Sequence, residues 1–450
     1  MTEKHKLFGA YDIRGIYGDG LDEAFARKVG LAYGQYLRPQ GGGRVLVAAD
    51  ARTSSPSLKA AFVEGILTSG NDVLDIGISS TPMAVWYAAQ AGFDGGAVVT
   101  ASHMGKKYNG IKLYAGEAKP LGAKNGLGEI RTKVESGLSE AKSKPGTLEQ
   151  GDIIPEYISF LKRYLKPSRR LKIAVDAGHG AAGPELEALK EALADSIELL
   201  TLNTVPDGTF PKRTPNPLDE GSLDELIALV IREKCDFGVS FDGDADRAVF
   251  VDDCGAKVET DLMIGLIGAA LVQRHGGGKI VYDLRASRAV PEYIESFGGE
   301  AVRTGVGTQF MMGSMKDHHA LFAGELSGHY YYADMYATDN AVRTMLEAIN
   351  MVSAANTGLS RLIKPLTKYS SSGEINLKVV NIQETLGRLE ASIKGGTKEH
   401  IDGLSVNFED WWFSARGSQT EPVLRLTIGA TSAKILDERK AQLFALIDQA

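Results

Sequence analysis

Only two of the 450 residues are cysteine, Cys235 and Cys254, so no disulfide framework is expected and a reducing cytoplasm fits the chain. Long apolar runs are also missing. The longest, Leu262 to Val272, falls far short of the roughly 20 residues that a membrane span needs. The first residues run through charges and glycines without an apolar stretch, so no secretory signal is expected. Nor is there a surplus of positive charge: 50 Lys and Arg against 57 Asp and Glu leave a net charge of −7. That balance argues against nucleic acid or an anionic membrane as partner. At 43% hydrophobic and 24% charged residues, the composition also excludes disordered, collagen-like and coiled-coil chains.

What the chain has in plenty is glycine, 52 residues clustered between strand-like runs, where backbone must turn or approach a ligand closely. Its length is too great for one ordinary core, so three or four domains are expected. Short β-branched runs alternate with amphipathic stretches, the mark of α/β layers. Strands are predicted over residues 44–49, 72–76 and 96–99, with helices over 56–70, from Thr81-Pro82 onward, and over 126–144. A second unit opens with a strand at 171–176 and the turn Gly178-His179-Gly180, and closes with strands at 237–241 and 248–251. A third holds a helix from Thr260 and strands at 279–282, 301–303 and 321–323. Near Ser370 the texture changes to a strand (374–380), a helix (382–393), strands (405–413, 423–428) and a last helix. The expected division is three α/β domains, 1–148, 149–254 and 255–368, and a smaller α+β domain, 369–450. No repeat shows at the level of residue identity, although the first three units share a rhythm.

Four segments carry chemistry. In Phe241-Asp242-Gly243-Asp244-Ala245-Asp246-Arg247, three carboxylates spaced two apart between strands can converge on one hard cation, with Mg²⁺ the first choice. An EF-hand fits poorly, since its glycine and glutamate positions hold Arg247 and Asp253; a solvated acidic turn is the bland alternative. Thr100-Ala101-Ser102-His103 follows a strand, where open α/β sheets place ligands. It lacks a Gly-x-Ser-x-Gly elbow, and alone it reads equally as a structural strand end. Lys112 follows nine residues after His103. In Gly324-Glu325-Leu326-Ser327-Gly328-His329, an extended chain would put Glu325, Ser327 and His329 on one side, suited to sugar hydroxyls; a polar strand end facing water is the alternative. Arg416-Gly417-Ser418-Gln419-Thr420-Glu421-Pro422, with Arg425 beyond, offers a cradle for a phosphate dianion or forms a plain hairpin loop. Tyr11 and Arg14, Asp50 and Arg52 (which read equally as a structural ion pair), and Arg285 at a strand end add further candidates.

Together and in this order, these segments resemble the α-D-phosphohexomutase superfamily, in its phosphomannomutase/phosphoglucomutase branch, over essentially the whole chain. The resemblance implies three related α/β domains and a smaller C-terminal domain around a central cleft. It implies a phosphorylated Ser102 that binds Mg²⁺ together with Asp242, Asp244 and Asp246. Glu325 and Ser327, with His329, would contact sugar hydroxyls, and Arg416, Ser418, Gln419, Thr420 and Arg425 would hold the phosphate that is not reacting. Lys112, His103 and Arg247 would act at the transferring group, and Tyr11, Arg14 and Arg285 would help bind the substrate. The implied reaction moves phosphate between O6 and O1 of a hexose phosphate, mannose before glucose, with a hexose 1,6-bisphosphate as activator. A phosphoglucosamine mutase and a non-catalytic sugar-phosphate binding protein are the alternatives, and the expected state is monomer or homodimer. The chain departs from the family pattern at Met104-Gly105, where Asn-Pro is usual, at Arg285, where lysine is frequent, and at Gln419, where asparagine is usual. Its loop Arg303 to Thr308 also lacks a histidine that many relatives carry.

Overall fold

A computed structural model describes residues 7–38, 43–137, 144–418 and 423–448. It divides into two compact units, Met1–Lys257 with Asp334–Ser360, and Val258–Ala333 with Arg361–Ala450.

The first unit holds two mixed sheets. One runs in the order Ile13–Ile16, Tyr108–Ala115, Gly95–Val99, Arg44–Ala49, Asp72–Ile78, Leu148–Gln150. The Arg44–Ala49 strand is parallel to both its neighbours, and Tyr108–Ala115 returns antiparallel against Gly95–Val99. The central strands are buried on both faces, so Val45, Leu46, Val47, Ala48 and Ala49 read as an unbroken apolar run. Helices Glu23–Leu37 and Ser55–Thr68 cover one face, sealing a core around Phe25, Tyr33 and Phe62. The second sheet runs Lys257–Val258, Ala248–Asp252, Phe237–Phe241, Leu171–Asp176, Ile197–Leu202.

The second unit repeats the plan with Glu300–Thr304, Lys279–Asp283, Phe322–Gly324 and Tyr330–Tyr332 in order. Its last sheet is wholly antiparallel: Ser370–Leu377, Leu424–Ala430, Trp411–Gly417, Leu404–Asn407, Thr397–Glu399. Helices Ile382–Ser392 and Ala433–Asp448 contribute Leu389, Leu443 and Ile447 to its core, with Phe413 and Ile428 from the sheet.

The shared rhythm of the sequence is therefore a topology repeated three times, twice in the first unit and once in the second. In each, four consecutive strands take the spatial order second, first, third, fourth, the fourth being antiparallel. The order reverses between the first and third strands, and such switch points place ligands beyond the strands' carboxyl ends. The segments around Ser102, Asp242 and Glu325 all leave the end of a third strand.

Three local expectations need correction. The predicted strand 405–413 is a hairpin, Leu404–Asn407 and Trp411–Gly417, closed by Phe408 N–H on the Trp411 carbonyl at 2.9 Å. Phe408 and Trp411 stack across the turn at 4.6 Å, so apolar residues flank it and hide it from a hydropathy pattern. The helix expected over 126–144 spans Leu127–Ser136 and stops at Gly137, whose φ of +90° is left-handed; residues 138–143 lie outside the described residues. The Glu325 to His329 segment is a tight turn and not an extended row: Glu325 N–H donates to the His329 carbonyl and Gly328 N–H to the Glu325 carbonyl, at 2.9 and 3.0 Å. Among the described residues, no helix is long and apolar enough to cross a membrane.

Candidate active site

Ser102 stands three residues beyond the Gly95–Val99 strand, almost fully buried and with φ +50°. For a residue with a Cβ, the left-handed region costs about 1–2 kcal/mol, so local bonds must hold it there. One comes from the Thr100 hydroxyl oxygen, which accepts Ser102 N–H at 2.8 Å. The Ser102 hydroxyl donates to Asp242 Oδ2 at 2.7 Å and lies 3.2 Å from His103 Nδ1. Gly243 makes this approach possible, because a Cβ there would sit 2.5 Å from the Ser102 carbonyl oxygen.

Asp242, Asp244 and Asp246 are buried, and ligand atoms from all three fall within 4.8 Å of one another. Backbone N–H groups of Asp246 and Arg247 donate to Asp242 Oδ1 at 3.1 and 3.2 Å, which folds the loop around that carboxylate. The Arg247 guanidinium comes to 3.9 Å of Asp242 Oδ2. Lys112 lies on the returning strand opposite Val98, and this register carries its ammonium to Asp244 at 2.6 Å and Asp246 at 2.5 Å. Thr81, in the first turn of helix Thr81–Gln90, donates its hydroxyl to Asp244 Oδ2 at 2.6 Å. Burial opposes charge on Lys112, but Asp244 and Asp246 outweigh it and hold the ammonium well above the usual lysine range. Burial, then Asp246 and Asp244, push the Asp242 carboxyl well above the usual range. Asp244 Oδ1 is buried with no hydrogen-bond partner. Three crowded carboxylates with an orphaned oxygen form a donor set that suits a small hard divalent cation.

Arg14, on the Ile13–Ile16 strand, is tied to Asp12 at 2.5 Å and feels the fields of Asp244 and Asp246. Tyr11 is half-buried just before that strand. The first unit thus gathers Ser102, His103, Lys112, Arg247 and the three aspartates, with Arg14 within their electrostatic reach.

The second unit gathers another set. Arg285, at the end of the Lys279–Asp283 strand, pairs with Asp283 at 2.6 Å, reaches Glu374 at 3.1 Å and lies 3.6 Å from Glu325. Asp283, then Glu374, outweigh burial and raise its pKa. Glu325 is buried, accepts the Tyr331 hydroxyl at 2.6 Å and has Ser327 Oγ at 3.4 Å. His329 lies at the far side of the turn, its ring 6.1 Å from that of Tyr331. Arg416 and Arg425 face each other across the C-terminal hairpin, and both bind Glu374, at 3.0 and 3.2 Å. Despite its burial, Glu374 is held below the usual carboxylate range by Arg285, Arg416 and Arg425. Ser418 N–H donates to the Val423 carbonyl at 2.9 Å, closing the base of the hairpin loop; Gln419 and Thr420 lie outside the described residues.

Sequence reasoning missed Thr81 and Glu374. Neither sits in a motif, and their partners are distant in sequence.

Three stretches of the chain match domains of the phosphoglucomutase/phosphomannomutase family: α/β/α domain I over residues 5–140, domain II over 155–255 and domain III over 259–369. The chain is 34% identical to a phosphomannomutase of Salmonella typhimurium, over 99% of this chain and 100% of that one. A phosphoglucomutase/phosphomannomutase family protein of Burkholderia thailandensis, 31% identical, superposes with a TM-score of 0.91 and covers 100% of this chain and 98% of that one. At 15% identity, an Aspergillus fumigatus N-acetylphosphoglucosamine mutase solved with GlcNAc-6P and magnesium shares the fold, with a TM-score of 0.58 over 90% of this chain and 77% of that one. With full-length relatives above 30% identity and three family domains matched in order, the chain belongs to the phosphoglucomutase/phosphomannomutase family of phosphohexomutases.

Proposed function

We propose that this chain moves a phosphoryl group reversibly between O6 and O1 of a hexose phosphate, mannose first and glucose second, through phosphorylated Ser102 and a bound hexose 1,6-bisphosphate. The observation that carries this reading is the Ser102 hydroxyl, 2.7 Å from one of three clustered carboxylates beside a lysine held as a cation. The P–O bond to Ser102 breaks as a P–O bond to the sugar hydroxyl forms, and the hydroxyl's proton passes to a base. The second transfer runs in reverse, from the bisphosphate's other phosphate to Ser102. Asp242, Asp244 and Asp246, with phosphorylated Ser102, would hold Mg²⁺, which when bound offsets charge on the transferring group. Lys112 and Arg247 supply positive charge to the same group; His103 takes the hydroxyl's proton, and Lys112, held as the ammonium, can only donate one.

Glu325 and Ser327, with His329, read sugar hydroxyls. Arg285, Arg416, Ser418, Gln419, Thr420 and Arg425 anchor the phosphate that is not reacting, and Tyr11 and Arg14 assist binding. These roles distribute over domains bounded at 1–148, 149–254, 255–368 and 369–450. The test is a coupled assay with mannose, glucose and glucosamine phosphates, Mg²⁺ and catalytic hexose 1,6-bisphosphate, together with intact-mass detection of phosphate on Ser102. Isomerisation of mannose and glucose phosphates that vanishes in Ser102→Ala is expected. Full activity in Ser102→Ala refutes the scheme, and a preference for glucosamine phosphate refutes the substrate order.

A further inference from the structure

The repeated topology carries a second repetition that concerns the loops and not the strands. At the end of the first strand of each α/β unit stands a buried aspartate: Asp50, Asp176 and Asp283. Each accepts, on Oδ1, the backbone N–H of the residue two positions on: Arg52 at 3.0 Å, Gly178 at 2.9 Å and Arg285 at 2.7 Å. Each pairs, through Oδ2, with an arginine: Arg52 at 2.8 Å, Arg213 at 2.5 Å and Arg285 at 2.6 Å. The same Oδ2 also takes a donor from the neighbouring third strand or its loop. These donors are the Thr100 hydroxyl at 2.7 Å, the Ser240 hydroxyl at 3.0 Å and the Leu326 N–H at 2.8 Å. One aspartate therefore connects, in each unit, an arginine to the segment that carries the site residues.

The arginines differ in what else they hold. Arg52 is buried, and beyond Asp50 its guanidinium donates to four carbonyls of the serine loop: Ser102 at 2.7 Å, Met104 at 2.6 Å, and Gly105 and Tyr108 at 2.9 Å each. Arg213 likewise donates to the Phe241 carbonyl, next to Asp242, at 2.6 Å. Arg285 meets carboxylates instead, Glu374 and Glu325. A planar fork with five donors suits several carbonyls converging from different directions, and an ammonium does not. The backbone that carries Arg52 is itself closely packed, since a Cβ on Gly208 would lie 2.3 Å from Thr53 N.

We propose that Arg52, locked by Asp50, is the positioning residue of the serine loop: its four carbonyl bonds hold residues 102–108 in the one conformation that places the Ser102 hydroxyl against the carboxylate trio. The inference rests on the reading of Ser102 as the phosphate carrier. Arg213 plays the corresponding part for the loop of Asp242, while in the third repeat Arg285 faces the carboxylates of Glu374 and Glu325.

Arg52→Lys tests this, because it keeps the charge but cannot reach four carbonyls. Hydrogen–deuterium exchange over residues 100–108 in the ligand-free protein is expected to quicken about tenfold, with exchange in the central strands unchanged. Unchanged exchange in that segment overturns the proposal. In rapid-mixing intact-mass measurements, transfer of phosphate from glucose 1,6-bisphosphate to Ser102 is expected to slow about 100-fold, since displacements near 1 Å carry such losses. The calorimetric Kd for glucose 1,6-bisphosphate should stay within about threefold. Transfer at the wild-type rate overturns the proposal, as does a transfer rate that falls only in step with affinity and global stability. Should Arg52→Lys not fold, Thr100→Val removes the hydroxyl linking Asp50 to the loop; a tenfold slowing, roughly, is expected, and an unchanged rate overturns the idea. A wild-type protein that takes up no phosphate refutes the functional reading of Ser102, and the exchange measurement then decides the positioning role alone.

Discussion

Neutralising one carboxylate of the trio should abolish the protein's response to Mg²⁺ while leaving the metal-free fold about as stable as before. The oxygens of Asp242, Asp244 and Asp246 lie within 4.8 Å of one another. At an effective dielectric constant of about 20, two unit charges at that distance repel by about 3.5 kcal/mol. Asp244→Asn removes this repulsion toward both neighbours and, with it, one of the two attractions that hold Lys112. These changes are opposite in sign and similar in size. The asparagine carbonyl still accepts the Thr81 hydroxyl, and its amide, in the place of the unpartnered Oδ1, brings N–H donors into a cluster of carboxylates that can accept them. In the absence of metal, the thermal midpoint should therefore move by no more than about 2 °C. The wild type should differ once a divalent ion is added. At about 100 times its Kd, a ligand that binds only the folded state adds about 2.7 kcal/mol, worth about 5 °C for a unit of this size. Thermal unfolding with EDTA and with millimolar Mg²⁺ measures both quantities. If Asp244→Asn kept the wild-type shift, or if the wild type showed none, the assignment of the trio as a metal site would fail.

Gly243→Ala places a methyl group 2.5 Å from the Ser102 carbonyl oxygen, so phosphate transfer to Ser102 should fall about 100-fold with unfolding little changed; a wild-type rate refutes the close approach. Glu185 is buried, bound at 2.5 Å by the Ser80 hydroxyl, and its pKa is pushed up to about 8 by burial. A raised carboxyl pKa stabilises the fold fully below the unfolded value near 4.5 and loses that contribution as pH rises through 8. Glu185→Gln cannot ionise, so between pH 5 and 7 it should lose about 2.5 kcal/mol less stability than wild type in urea unfolding; parallel pH curves refute the buried-acid assignment. Glu374→Gln weakens the charge that draws Arg285, Arg416 and Arg425 together. It should raise the KM for glucose 6-phosphate about tenfold with kcat nearly unchanged, whereas a fall in kcat alone would show that these arginines serve the chemistry and not the anchoring.

The parts of the fold that were legible in the sequence are those where local pattern and tertiary environment agree. The strands at Arg44–Ala49, Leu171–Asp176 and Phe237–Phe241 are apolar because both faces are covered. Helix Thr81–Gln90 announces itself through Ser80, which accepts Met83 N–H, and Pro82 in the first turn. The Tyr108–Ala115 strand is different. Its asparagine, glycine and lysine belong to turns and surfaces by propensity, and it is a strand because it pairs with Gly95–Val99 on one side and Ile13–Ile16 on the other. That pairing also brings Lys112 to the aspartates, so missing the strand meant missing how a lysine ten positions after Ser102 could reach them.

The site divides along the same line. Residues that share a loop, such as Asp242, Asp244 and Asp246, are visible because convergence follows from spacing alone. Thr81 bonds to a residue 163 positions away, and Arg285 meets Glu374 across 89; no spacing rule connects them. The pair Asp50 and Arg52 is intermediate. Two residues apart, they read as a bare ion pair, and the distances bear this out at 2.8 Å. What no local pattern states is that the guanidinium's remaining donors all end on carbonyls 50 to 56 residues later. A carbonyl has no side-chain identity, so a residue that works by holding backbone leaves no matching signature at the positions it holds. The recurrence of the same aspartate–arginine geometry in all three repeats, with almost no residue identity around it, is what such a constraint looks like when it acts on topology and leaves the loop sequences free to diverge.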